Sequence, residues 1–334
     1  MTSRERVWAA IQGRAVDRPP VSFWGHAYHR ESSAAELVEA TLAAWREYRW
    51  DWVKLNPRKH YHVEPWGVRY RYPGVPDVKP VLESWPVHVP ADWGQVTPRP
   101  HASGALGEQI EAVRLLRREL PAEVPLIETV FTPLAVLGEM VETPEELRAH
   151  LDSHPHLVRG ALEAVTSTYE PFVRELLRAG ADGIYFATVD WASADLLTPA
   201  QARAWTRPFD LRVLAAAADA PFNVLHVCKR RNLLFEFGDY PVAAFSWATT
   251  DPTNPTLREA LGRLGAAVMG GFSQDGALQA AASGAALAEY SAALAETGGR
   301  RWLAAPGCSI PPATPAGNLH AVRDAVAATN LPIP

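Results

Sequence analysis

Cysteine is scarce in this sequence: only two of the 334 residues are cysteines, Cys228 and Cys308, and they lie far apart in the chain. A fold held together by several disulfides is therefore excluded, and a reducing compartment argues against even one bridge. No Cys-x-x-Cys pair is present, so the usual ligands of a structural zinc site are missing as well. Each thiol has to be explained individually, either as a buried core residue or as a functional group.

Long apolar runs and long basic runs are also absent. No apolar stretch reaches the roughly 18 residues of a membrane helix, and the charged start, Met1–Arg6, lacks the apolar core of a signal peptide. The net charge is −5, and no basic run exceeds Lys229–Arg231, which argues against a nucleic-acid partner. We therefore expect a cytoplasmic protein that acts without a membrane or nucleic-acid partner.

What the sequence does contain is a regular alternation of short apolar segments and helical patterns. Eight such segments, each joined to the next by a helix, predict an α/β fold of the (β/α)₈ TIM-barrel type in one domain, 1–334. A doubly wound open sheet is the alternative, but no Gly-x-Gly-x-x-Gly follows the first strand. The predicted strands are 21–24, 52–55, 125–130, 183–186, 221–226, 242–246, 267–271 and 302–305.

One long segment interrupts this alternation. Residues 57–104, after the second predicted strand, are rich in proline and aromatic residues. Within them Val68–Tyr72 alternates in polarity and ends at Pro73-Gly74, which predicts a β-hairpin. An insertion of this length inside a compact domain is typical of a lid or a binding loop.

The two cysteines and one histidine fall at the carboxyl ends of predicted strands. Residues two apart in a strand face the same side, so His226 and Cys228 point together. Cys308 follows the last strand, and all strand ends of a barrel border one mouth. A His-Cys-Cys set leaves one coordination position open, as catalytic zinc sites do, and sulfur ligands favour zinc. Such a site would bind an incoming thiol as a zinc-bound thiolate and so favour alkyl transfer to sulfur. Burial of both cysteines in the core is the competing interpretation.

Other polar residues near strand ends are candidates for supporting roles. His26 is a candidate for proton transfer. Asp190 is a candidate catalytic residue that orients His226 or supplies a fourth ligand, unless it merely caps a helix. Substrate-binding candidates include Lys54 and Arg58, whose charges suit the acid group of a thiol substrate; the others are Glu128 and Trp247, although packing explains Trp247 better. His60 and His62 are expected at the surface of the insertion.

Several segments resemble the uroporphyrinogen decarboxylase superfamily over nearly the full length, and in particular its branch of methylcobamide:coenzyme M methyltransferases. The segments that carry the resemblance are Asp17–Val21, Ala179–Gly183, His226-Val227-Cys228, Met269–Gly271, Ala305–Pro315 and Asn318-Leu319. The resemblance implies a (β/α)₈ barrel in which His226, Cys228 and Cys308 bind zinc. It further implies methyl transfer from a corrinoid to a thiol.

The sequence departs from that family at informative positions. Lys229 stands where the family usually has glycine, and Asn56-Pro57-Arg58 stands where the decarboxylases carry a catalytic aspartate. The arginine-rich segment that holds carboxylates in those decarboxylases is also replaced, by Trp24–Arg30. No Asp-x-His-x-x-Gly motif is present, so a corrinoid would arrive free or on a partner protein.

The predicted function is a zinc-dependent methyl- or alkyltransferase that acts on a small thiol, with methylcobalamin or a related corrinoid as the donor. Two alternatives stay open. One is a metal-independent decarboxylase with a cationic pocket formed by Arg58, Lys54 and His26. The other is a barrel that binds a corrinoid or tetrapyrrole without turnover. A monomer or a homodimer is expected.

Overall fold

The computed structural model describes residues 1–332. Its centre is a curled parallel sheet of seven strands in the order β1-β4-β5-β6-β7-β8-β9. These strands are β1 (Val53–Leu55), β4 (Leu126–Phe131), β5 (Gly183–Ala187), β6 (Val224–His226), β7 (Ala244–Ser246), β8 (Ala267–Phe272) and β9 (Trp302–Pro306). All pairings within this sheet are parallel and follow chain order, so the α/β fold with a parallel sheet predicted from the sequence is confirmed.

Helices connect most consecutive strands and cover the outer face of the sheet, whereas β6 and β7 are joined by a loop that contains one short 3₁₀ turn, Leu234–Phe237. The helices bury their apolar faces against the sheet, as the helical spacing of leucine and valine predicts. They are α1 (Ser3–Ile11), α2 (Ala34–Tyr48), α3 (Gly104–Glu119), α4 (Pro133–Gly138), α5 (Pro144–Ser153), α6 (Pro155–Arg178), α7 (Pro199–Ala215), α8 (Leu257–Arg263), α9 (Gly284–Thr297) and α10 (Ala316–Ala328). None of the helices within residues 1–332 combines the length and the apolar composition that a membrane span requires.

The first predicted strand, 21–24, differs from the expectation of eight regular strands. Val21 forms only a single parallel bridge, to Ala304 of β9. The Ser22 N–H donates to the Ala304 carbonyl at 3.1 Å, and the Asp51 N–H donates to the Val21 carbonyl at 2.9 Å. This segment thus hydrogen-bonds to β9 on one side and to the residues before β1 on the other. The preceding Pro19-Pro20 has no N–H to donate, which explains why no longer ladder forms.

The strands separate two buried layers. Alternate residues pack inside the curled sheet, among them Ile127, Tyr185 and Met269. Their neighbours in sequence, such as Val130 and Ile184, pack outward against the helices. Because of this period of two, the position of each strand residue decides whether it reaches the central cavity.

The insertion 57–104 is anchored in the core. Tyr61, Trp66 and Trp93 are buried, and the Tyr61 hydroxyl donates to the carbonyl of Thr129 in β4 at 2.6 Å. The predicted hairpin is present as β2 (Arg69–Arg71) paired antiparallel with β3 (Val81–Ser84). These anchors fix the base of the insertion, and movement of the hairpin as a lid stays a prediction.

Candidate metal centre

The three residues predicted to bind zinc lie together at the carboxyl ends of the strands. His226 is the last residue of β6, Cys228 lies two residues further on, and Cys308 follows β9. One imidazole nitrogen and the two sulfurs lie within 4.8 Å of one another. Strands β6 and β9 are not neighbours, so these side chains meet only because the sheet is curled.

A hydroxyl pair orients the His226 ring. Its Nδ1 lies 3.2 Å from Ser246 Oγ, which lies 3.0 Å from the Tyr185 hydroxyl. The ring also stacks on Tyr185 with centroids 5.1 Å apart. His226 Nε2 is buried and has no hydrogen-bond partner in the part of the chain that the structure describes. With Nδ1 held by Ser246, Nε2 is the atom left for a metal, and a buried unpaired nitrogen beside two sulfurs fits zinc well.

The prediction that Asp190 orients the His226 ring is wrong. Ser246, at the end of β7, takes the place beside His226 that the sequence suggested for Asp190. Asp190 instead lies 2.9 Å from the Lys229 ammonium in a salt bridge near the surface. The register explains the difference, since His226 of β6 pairs directly with Ser246 of β7.

Replacing Ser246 should therefore weaken the metal site without removing a ligand. We expect Ser246→Ala to reduce zinc affinity about 10- to 100-fold, the usual effect of losing a hydrogen bond to a ligating histidine. Competition with a chromophoric chelator measures it. Ser246→Thr keeps the hydroxyl and should restore most of the affinity; equal affinities in wild type and Ser246→Ala would contradict this role.

Backbone contacts fix the two chain segments that carry the ligands. The Thr188 N–H donates to the His226 carbonyl at 3.0 Å, beside β6. On the other segment, a Cβ on Gly307 would lie 2.7 Å from the Cα of Ala248, so only glycine fits directly before Cys308. The Ile310 N–H donates to the Trp24 carbonyl at 2.9 Å. The Pro-Gly-Cys segment is thus fixed against neighbouring backbone on both sides of Cys308.

The two thiols influence each other's protonation. A hydrogen bond from the Cys228 thiol, helped by His226, holds the pKa of Cys308 well below its usual range, although burial opposes this. The same contact, together with burial, raises the pKa of Cys228. One sulfur is therefore a ready anionic ligand, and binding a divalent cation would displace the proton of the other.

Lys229 adopts a backbone conformation that favours glycine. Its φ is +71°, in the left-handed region where a Cβ is disfavoured. Its ammonium nevertheless pairs with Asp190 at 2.9 Å. This chain therefore keeps a cation beside the sulfurs in spite of backbone strain.

Two variants at this position separate strain from charge. Lys229→Gly and Lys229→Ala both lose the Asp190 salt bridge, and only glycine relieves the left-handed φ. We expect the free energy of unfolding to be about 1 kcal/mol higher for Lys229→Gly than for Lys229→Ala, as measured by urea denaturation. Equal stabilities would show that the backbone here is not strained.

A cavity of about 260 Å³ opens in front of the metal centre, and Lys54, Tyr185, Phe131 and His62 contribute to its wall. The Lys54 side chain is only 5% exposed. Its ammonium lies 4.6 Å from the Tyr185 ring centroid and donates to Asn56 Oδ1 at 2.7 Å. Among the described residues no carboxylate forms a salt bridge with it. Burial lowers the pKa of Lys54 to about 7, although Cys308 and Glu128 oppose the shift.

The structure does not leave Arg58 available for an anionic substrate. Its guanidinium bonds Glu64 at 2.8 Å and also contacts the Glu108 carboxylate. Arg58 does line the cavity, but two carboxylates already neutralise it. Its predicted substrate-binding role is therefore not supported.

Unlike Arg58, Glu128 and Trp247 lie away from the cavity. Glu128 alternates with Ile127 and so points outward among the helices, where both of its carboxylate oxygens are buried and have no hydrogen-bond partner among the described residues. Burial raises its pKa well above the usual range. Trp247 is fully buried, and its indole N–H donates to the Pro255 carbonyl at 2.8 Å. Both positions contradict the predicted contact with substrate.

His26 does border the cavity. Its Nδ1 lies 3.0 Å from the buried carboxylate of Glu31, and its ring stacks on Tyr28. A histidine held by a carboxylate suits proton transfer, so this role stays a prediction.

The expectation that His60 and His62 lie at the surface is wrong. Both are buried, at 3% and 1% exposure. His60 Nδ1 lies 2.8 Å from Glu139, and His62 Nε2 lies 3.2 Å from the same carboxylate, without hydrogen-bond geometry. Burial lowers the pKa of His62. The His-x-His spacing was the only sequence signal for this buried cluster, and nothing in the sequence marked Glu139 as the partner of the two histidines.

A curled parallel sheet with a thiol–imidazole group at its carboxyl edge defines a TIM-like α/β protein whose site lies where barrel enzymes carry theirs. The chain belongs to the uroporphyrinogen decarboxylase (URO-D) family, whose pattern matches residues 2–329. The family resemblance inferred from the sequence is thereby confirmed.

The relatives of this chain include both methyltransferases and decarboxylases. The methylcobamide:CoM methyltransferase MtaA of Methanosarcina barkeri is 24% identical over 340 residues, 96% of either chain. A uroporphyrinogen decarboxylase of Syntrophotalea carbinolica is 26% identical over 149 residues, 42% of this chain and 43% of its own. A methyltransferase structure from Methanosarcina mazei shares the fold, with a TM-score of 0.81 at 21% identity over 98% of this chain and 100% of its own. These relatives support an enzyme of the methyltransferase or decarboxylase kind.

Proposed function

We propose that this protein is a zinc-dependent methyl- or alkyltransferase that methylates a small thiol. The observation that carries the proposal is the meeting of His226, Cys228 and Cys308, with the unpaired His226 Nε2 facing the two sulfurs. Three protein ligands of this type match catalytic zinc sites, which keep one position for a substrate.

The residues present would hold the metal and prepare it for this chemistry. His226, oriented by Ser246, and the two cysteines would be the protein ligands. When bound, zinc lowers the pKa of a thiol and so supplies a nucleophile near neutral pH. Tyr185 stacks on the His226 ring and limits its movement. The cavity beside the centre gives the thiol a partly water-excluded site, and His26 on its wall would accept a proton.

The methyl donor in this proposal is a corrinoid that reaches the cavity mouth from outside. The named activity of MtaA, a methylcobamide:CoM methyltransferase, supports this choice. The chain carries no Asp-x-His-x-x-Gly segment to ligate a corrinoid. A free corrinoid or one carried by a partner protein would therefore deliver the methyl group. The methyl carbon would bond to the thiolate sulfur as its bond to cobalt broke, the electron pair of that bond would stay on the corrinoid, and the thiol proton would leave to a base or to solvent.

The decarboxylase alternative has less support from the site. A porphyrinogen with several carboxylates needs several available cations, yet Arg58 is already paired with Glu64 and Glu108. Lys54 remains as the one predicted cation of that pocket without a carboxylate partner among the described residues. A pocket of this kind suits a ligand with a single acid group.

A direct assay tests the proposal. Zinc-loaded protein is mixed anaerobically with methylcobalamin and either 2-mercaptoethanesulfonate or 3-mercaptopropionate. Loss of the methyl–cobalt absorbance together with the S-methyl product in the mass spectrum is the expected result. Zinc-loaded protein that transfers no methyl group to either thiol, with free methylcobalamin or with a methylated corrinoid protein, would contradict the proposal.

A further inference from the structure

A second cavity lies behind the wall of the first. It has a volume of about 240 Å³ and lies between helix α2 and the segments 22–25 and 310–314. Leu37 and Trp45 of α2 face Ile310 and Leu319 across it, so its walls are mainly hydrocarbon. None of the three candidate metal ligands lines this second cavity.

Four residues line both cavities and form the partition between them: Trp24, His26, Lys54 and Asn56. The partition lies close to the metal centre, because the Ser309 hydroxyl, next to Cys308, lies 3.4 Å from Asn56 Oδ1. A ligand group bound at the partition would therefore be a few bonds from a sulfur bound at the metal.

The partition and its surroundings carry hydrogen-bond donors that an acid group could satisfy. Asn56 Nδ2 is buried without a hydrogen-bond partner among residues 1–332, and so is the Trp52 indole N–H, which lies on the side of the second cavity. Lys54, 5% exposed, has a neutral amide as its hydrogen-bond partner. Buried donors are nearly always paired in native proteins, and a buried ammonium normally has an anion beside it. A ligand acid group at this point would satisfy Lys54 and Asn56 together.

We infer that the two cavities form one binding site for an amphipathic thiol acid, with sulfur at the metal centre, the acid group at Lys54 and Asn56, and an apolar branch in the second cavity. This inference rests on the proposed function and extends it to the class of substrate. The apolar walls predict a hydrocarbon or aromatic branch close to the acid group. A bare short mercapto acid would leave the second cavity unused.

Matched ligands test each part of this inference on zinc-loaded protein. The probes are 2-benzyl-3-mercaptopropionate, 3-mercaptopropionate without the branch, and the amide of the benzyl compound without the charge. Calorimetric titration gives each Kd. We expect the benzyl acid to bind at least about tenfold more tightly than the unbranched acid, because its benzyl ring moves from water into the apolar second cavity. It should also bind at least about tenfold more tightly than the amide, because a buried charged pair forms.

Two kinds of variant locate the binding groups. Ala40→Phe places a ring in the second cavity from helix α2, and it should abolish the advantage of the benzyl acid while leaving the Kd of the unbranched acid unchanged. Ala44→Leu, one turn further along α2, fills the same cavity if Ala40→Phe does not fold. Lys54→Met should remove the preference of acid over amide for the branched ligand.

Equal affinities for the branched and unbranched acids in wild type and Ala40→Phe would overturn the inference. A sulfur-free analogue, 2-benzylpropanoate, separates it from the proposed function. If no thiol acts as a methyl acceptor but 2-benzylpropanoate binds wild type and not Ala40→Phe, the cavity assignment stands and the methyltransferase assignment fails. If Lys54→Met and Ala40→Phe leave the Kd of 2-benzylpropanoate and of the thiols unchanged, the cavity assignment fails and the methyltransferase assignment is unaffected.

Discussion

Cys308→Ser should lose its zinc. The variant keeps His226 and Cys228, but two ligands in an otherwise open cavity hold zinc far more weakly than three. We expect zinc affinity to fall by more than about a hundredfold. This loss exceeds the one expected for Ser246→Ala, which removes only a hydrogen bond to a ligand. Methyl transfer to a thiol should fall with it. Metal analysis after dialysis and competition with a chelator measure the first effect.

Ser309→Ala is the matched control. It removes the Ser309 hydroxyl, which donates a hydrogen bond to Asn56 Oδ1 at 3.4 Å, and leaves all three ligands in place. Its zinc content should equal that of wild type. Full zinc content in Cys308→Ser, with transfer retained, would rule out Cys308 as a ligand.

Lys54→Met should stabilise the protein in the absence of an anionic ligand. The wild-type ammonium is buried between Trp24 and Tyr185 and forms no salt bridge with a carboxylate within residues 1–332, so its desolvation is only partly compensated. We expect the free energy of unfolding at pH 7 to rise by on the order of 2 kcal/mol in the variant. Chemical denaturation of zinc-loaded protein measures it.

The pH dependence of this effect has a definite sign. Burial lowers the pKa of Lys54 to about 7 in the folded state, whereas an unfolded lysine titrates near 10.4. Between these values the unfolded chain binds the extra proton, so the wild type gains stability as the pH rises. The advantage of Lys54→Met should be full below pH 7 and shrink towards pH 10.

A second lysine provides the control for this prediction. Lys79→Met changes an exposed lysine in the hairpin loop and should leave stability within about 0.5 kcal/mol of wild type at every pH. A Lys54→Met variant that is less stable than wild type at pH 7 would show that the ammonium has a compensating partner.

The sequence was sufficient to predict the parallel α/β fold and the meeting of the three candidate ligands. Both rest on regular patterns: the alternation of strands and helices, and the period of two that turns His226 and Cys228 to one side. Cys308 joins them because parallel strands end at one edge. The first strand was overestimated, since Pro19-Pro20 cannot extend a ladder there.

The errors concern side-chain direction and pairing, which a single sequence does not encode locally. Glu128 lies in the correct strand but on the outward face. Ser246 orients His226 because strand register brings them together, whereas the nearer candidate in sequence, Asp190, pairs with Lys229. Likewise, Arg58 is neutralised by Glu108, a residue 50 positions away. Each of these contacts depends on the three-dimensional arrangement of distant segments.

The zinc content of wild-type protein purified anaerobically without chelator tests the central claim most directly, with Cys228→Ser purified in parallel. About one zinc per chain in the wild type, and little in the variant, is the result that the geometry of His226, Cys228 and Cys308 predicts. A wild-type protein that binds no zinc, even after reconstitution with reduced thiols, would contradict the metal centre and with it the proposed methyl transfer.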